Sequence, residues 1–123
     1  MRKRIWLLLA VLALAVALPS GCGGSSDVMA PIGGGADVVI TITGMNGGNS
    51  FSPNPGSVQV GQTVAWHNGD STTHTATQNG GGFNTGNIAP GATSAPITMG
   101  SVGALGYHCS IHPSMTGTLN VTN

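Results

Sequence analysis

The sequence predicts an all-β domain, a sandwich or barrel, behind an N-terminal leader. Three observations predict it. Short β-branched or alternating apolar runs recur at close intervals, separated by Gly, Pro, Asn and Asp turn signals. No segment after Leu18 has a helical period. The composition suits a compact, turn-rich domain, with 21 glycines, 40% hydrophobic and 5% charged residues among 123, and almost no charge runs.

The first element is a targeting segment. Arg2-Lys3-Arg4 precedes 14 unbroken apolar residues, Ile5 to Leu18. That length suits a signal-peptide core and falls short of the roughly 20 residues of a membrane span. In Leu18-Pro19-Ser20-Gly21-Cys22, a small residue precedes a Cys just past the apolar core. This resembles a bacterial lipoprotein signal, which implies cleavage before Cys22, lipid on its sulfur and attachment to a membrane. Pro19 stands where that pattern has Leu, and cleavage after Ala17 is the alternative. Residues 1–22 are therefore expected to be the signal, 23–36 a Gly/Ser-rich linker and 37–123 the folded domain. A flexible linker of 14 residues spans about 20 Å, enough to hold a domain just off a surface.

The strands follow in order. Val38 to Thr43 is a β-branched run. Gly44 to Ser50 reads as a loop, Phe51 to Gly56 as a Pro-rich turn, and Ser57 to Val60 as a second strand. Thr63 to Asn68 is a strand with Val64 and Trp66 on one face, and His67 therefore points the other way as a surface residue. Asn79 to Gly82 is a loop. Phe83 to Pro90 and Gly91 to Met99 read as a turn and a strand, Val102 to Cys109 and Met115 to Thr122 as the closing strands. Trp66, Phe83 and Tyr107 are core candidates. Met29, Met45 and Met99 read as gap-fillers or linker residues.

Charge limits the partners. Arg2, Lys3 and Arg4 are the only basic residues, so removing the leader leaves Asp27, Asp37 and Asp70, a formal −3. Nucleic acid is excluded as a partner for want of a basic patch. Long-range steering of a charged partner is expected to be weak. Two cysteines in an exported chain ordinarily suggest a disulfide. Here Cys22 lies in a processing site, and a bond to Cys109 would leave the His and Met spacing around Cys109 without a purpose.

That spacing is the chemical centre of the chain. Tyr107-His108-Cys109-Ser110-Ile111-His112-Pro113-Ser114-Met115 brings a thiolate former, an imidazole and a thioether within seven residues. Two His and one Cys with a weak axial Met describe a blue (type 1) copper electron-transfer site. The second imidazole comes best from His74. Pro113 stiffens the short loop. Four protein donors leave no open position for substrate, which points to a carrier rather than an enzyme. His108 reads as an outward-facing strand residue.

From about Val38 to Val121 the chain resembles the cupredoxins. The likeness lies in Val60-Gly61-Gln62-Thr63-Val64-Ala65-Trp66, Asn68, His74, Pro90-Gly91 and the stretch Tyr107 to Gly117. The last is most similar to amicyanin and its plastocyanin and pseudoazurin relatives, with an amicyanin-like short loop. The resemblance implies a Greek-key β-sandwich and one copper ion, Cu(I)/Cu(II), held by His74, Cys109, His112 and Met115. It makes Asn68 a structural hydrogen-bonding residue below the site. Thr75 falls where the family has an Asn or Ser that ties the ligand loops near the Cys sulfur, and Thr73 where it often has Pro. The implied function is a monomeric one-electron carrier, exported to the periplasm or cell surface. It would meet redox proteins transiently through the edge of His112 and an apolar patch that includes Ala89, Pro90, Pro113 and Ser114. Two other readings stand beside it: copper binding or delivery without electron transfer, and a metal-free structural module.

Overall fold

The structure, a computed structural model, describes residues 35–123. The signal segment, Cys22, Met29 and most of the expected linker lie outside the described residues. Eight strands are formed: β1 Val38–Ile42, β2 Phe51–Ser52, β3 Gly56–Gln59, β4 Thr63–Asn68, β5 Thr77–Gln78, β6 Ile97–Thr98, β7 Gly103–His108 and β8 Thr116–Thr122. The described residues contain no α-helix, only a 3-10 turn at Gly47–Asn49.

The strands divide into two mixed four-stranded sheets, ordered β2-β1-β4-β6 and β3-β8-β7-β5. The parallel pairs are β1 with β4 and β3 with β8; the others are antiparallel. From β2 to β7 each connection crosses from one sheet to the other, the Greek-key habit of sandwiches.

Alternation builds the core. β3 and β8 bury every second residue, so Val58, Leu119 and Val121 face Ile40, Ile42, Val64 and Trp66 of the opposite sheet. Trp66, Tyr107 and Phe51 are the largest fully buried side chains. Tyr107 meets Phe51 edge-on at 4.8 Å and Trp66 at 5.5 Å between ring centroids. Such pairs contribute about 0.5–1.5 kcal/mol beyond the area they bury.

The structure departs from the sequence expectations at particular residues. Phe51–Ser52, expected in a turn, pairs with β1 as a short edge strand. Of the strand expected over 91–99, only Ile97–Thr98 forms one. The rest lies along β4 through a His67–Thr93 bridge and the Trp66–Ser94 bonds. That segment runs beside β4 and places Thr93 next to His67. His67, expected at the surface, is therefore half-buried with Nδ1 at 2.9 Å from Thr93 Oγ1.

Candidate metal centre

The parallel strands β1 and β4 end side by side, where Gly69 N–H donates to Ile42 O. Beyond β4 the chain is held by Asn68. Its buried amide donates to Thr72 O at 2.7 Å and Ile88 O at 2.8 Å, and accepts from Asp70 N–H at 2.9 Å. His74 follows, paired through its backbone with Ile88. His74 is thus fixed by a two-way backbone bridge on a loop. Cys109 comes one residue after β7 and Met115 one residue before β8. Their loop is closed by Cys109 N–H to Met115 O at 3.0 Å and Met115 N–H to His112 O at 2.9 Å.

These frames bring three donors to one point. Cys109 Sγ lies 3.8 Å from Nδ1 of His74 and 3.8 Å from Nδ1 of His112, and the two Nδ1 atoms are 3.2 Å apart. Bonds of about 2.0 Å to nitrogen and 2.3 Å to sulfur, meeting near 120°, set nitrogen and sulfur about 3.8 Å apart. The spacing therefore fits one metal ion in a trigonal set of two imidazole nitrogens and one sulfur. His74, Cys109 and Met115 are fully buried, and His112 is half-buried.

The electrostatics favour the metal-binding form of the thiol. Burial raises the Cys109 thiol, but it is outweighed by the Thr75 N–H, the His74 ring and the His112 backbone and ring. Together they bring it from 9.0 down to about 6. A thiolate is the species that binds metal. Cys109 is the free cysteine among the described residues.

Thr75 links the two ligand loops. Its N–H donates to Cys109 Sγ at 3.3 Å, and its hydroxyl accepts from Ser110 N–H at 2.8 Å. Asp70 was not among the sequence-derived site residues. Its Oδ2 accepts from His74 Nε2 at 2.7 Å, leaving Nδ1 toward the other donors. The available signal was weak: Asp70 is one of only two acids in residues 35–123 and lies in the turn just before His74. His108 is partly exposed, with Nδ1 at 2.6 Å from Asn79 Oδ1, and takes no part in the cluster.

A mixed two-sheet Greek-key sandwich with a soft donor set at one end is the arrangement found in cupredoxins. Solved structures agree. A purple cupredoxin from Nitrosopumilus maritimus is similar at TM-score 0.62 and 27% identity, over 70% of this chain and all of that one. An amicyanin variant in its reduced Cu(I) form is similar at 0.61 and 26%, over 75% and 87%. A copper-containing nitrite reductase from Thermus scotoductus is similar at 0.60 and 29%, over 70% of this chain but 22% of that enzyme. No family model and no curated protein matches the sequence. The chain is thus cupredoxin-like, similar in fold to purple cupredoxin and amicyanin, with a site for one copper ion.

Proposed function

We propose that the protein is an exported one-electron carrier, with His74, Cys109 and His112 as the strong copper ligands and Met115 as the weak axial one. The observation that carries this reading is the convergence of Cys109 Sγ and two Nδ1 atoms at 3.8, 3.8 and 3.2 Å. Bound there, copper supplies a Cu(I)/Cu(II) couple with one electron to give or take. The chain's part is to hold the donors still and keep water out. Full burial of His74, Cys109 and Met115 serves both ends and leaves no position for substrate, which suits a carrier better than an enzyme.

His112, the one partly exposed donor, is the natural port for the electron. Ala89, Pro90, Ile111, Pro113 and Ser114 are exposed residues of the neighbouring loops, and none is charged. They suit a transient contact with a redox protein. The leader and Cys22 support export to the periplasm or cell surface with a lipid tether, and the domain is read as a monomer.

The test is a visible spectrum. One equivalent of Cu(II) added to the metal-free protein should give an intense blue thiolate-to-copper band. The band should bleach reversibly on reduction and be absent in Cys109→Ala. Weak absorption that a mild chelator strips quickly would instead mark a copper-handling protein.

A further inference from the structure

Residues 35–123 contain no Lys or Arg and two acids, Asp37 and Asp70. Asp37 is engaged far from the donors, with Thr63 N–H at 2.8 Å and Thr63 Oγ1 at 3.1 Å. Asp70 is the one formal charge beside the metal site, and the chain holds it in place. Oδ2 accepts from Thr72 Oγ1 at 2.9 Å as well as from His74 Nε2 at 2.7 Å, and Oδ1 accepts from Ser71 N–H at 2.8 Å. Its own N–H is fixed to the buried Asn68. A surface acid in a turn requires none of this.

The His74 ring is used on both sides. Nε2 faces the carboxylate, and Thr72 Oγ1 lies 3.1 Å from the same nitrogen. Nδ1 faces Cys109 and His112. A carboxylate on one ring nitrogen draws the proton there and leaves the other with a lone pair.

We propose that Asp70 is a positioning residue of the metal centre: it locks His74 in the tautomer that presents Nδ1, and its charge biases the site toward Cu(II) over Cu(I). The second half rests on the copper reading above. A carboxylate behind a ligand His orients the ring and raises its basicity. A fixed negative charge favours the higher-charged ion, and no Lys or Arg in the domain offsets it.

Three variants separate the contributions. Asp70→Ala removes hydrogen bond and charge, Asp70→Asn keeps a carbonyl acceptor but loses the charge, and Asp37→Asn removes an equal charge elsewhere. Ring 15N shifts of the metal-free protein should show His74 as the Nε2–H tautomer in the parent, in Asp70→Asn and in Asp37→Asn. In Asp70→Ala that preference should be lost, with Cu(II) bound about 10- to 100-fold more weakly. The reduction potential should rise in Asp70→Asn and stay at the parent value in Asp37→Asn. A parent-like His74 tautomer in Asp70→Ala would overturn the positioning role. A potential in Asp70→Asn no higher than in Asp37→Asn would overturn the bias toward Cu(II). Should the parent form no copper site, the copper reading fails on its own, and the 15N shifts still decide whether Asp70 sets the His74 tautomer.

Discussion

Thr75 shows how one side chain couples two loops that are 35 residues apart in sequence. Its hydroxyl accepts from Ser110 N–H at 2.8 Å and lies 2.9 Å from Ser110 Oγ, while its N–H reaches Cys109 Sγ. Thr75→Val keeps the shape and the N–H and removes only the hydroxyl, leaving Ser110 N–H without its partner. The expected cost is about 0.5–1.5 kcal/mol, since water can reach the exposed Ser110, read from urea unfolding of the metal-free protein. Copper should also leave faster to a chelator, with the visible band retained because every donor remains. Unchanged unfolding and release would show that the hydroxyl does not tie the loops. The residues visible in the sequence were those whose chemistry is rare and closely spaced: Cys109, His112 and Met115, with His74 the best remaining imidazole. Asp70 and Ser110 were not visible, because an acid in a turn and a serine in a loop acquire a role only when the loops fold against one another.

Among the elements, β1, β3, β4, β7 and β8 were legible because each runs four residues or more with a buried face. The two-residue strands β2, β5 and β6 have no period to read; neighbouring chain creates them. The pairing of β7 with β8 matters most to the site, since the metal loop joins them. In its register Tyr107 lies opposite Gly117, two residues past Met115. A Cβ on Gly117 would come within 2.8 Å of Tyr107 Cε2 and nearer still to other atoms of that fully buried ring. The ring is wedged between Phe51, Trp66 and Phe83 and has nowhere to go. Gly117→Ala should therefore cost about 1–3 kcal/mol by overpacking. A urea midpoint equal to that of the parent would mean that the ring has room the structure does not show.

For the whole molecule, Tyr107 sets the alkaline limit of stability. Burial pushes its hydroxyl from 10.0 up to about 12. The folded value lies above the unfolded one, so the contribution is complete below pH 10 and is lost as pH rises toward 12. Its size is about 3 kcal/mol, at roughly 1.4 kcal/mol for each pH unit. The other shifted groups act elsewhere. Cys109, brought from 9.0 to about 6, contributes fully above pH 9 and loses its contribution as pH falls through 6. Asp70 is lowered from 3.8 to about 2, first by the His74 hydrogen bond and then by Ser71 N–H and the Thr72 hydroxyl. Its contribution is present above pH 4 and disappears toward pH 2. The fall above pH 10 thus belongs to Tyr107. Neither its hydroxyl nor Trp66 Nε1 has a hydrogen-bond partner within the structure. Removing that hydroxyl costs no bond and relieves a buried polar atom. Tyr107→Phe should consequently be at least as stable as the parent at pH 7 and keep its unfolding midpoint from pH 10 to 12, while the acid-side losses of Asp70 and Cys109 persist. Urea midpoints collected from pH 3 to 12 on the metal-free pair decide it: a Tyr107→Phe variant that still loses stability above pH 10 as the parent does would remove Tyr107 as the cause.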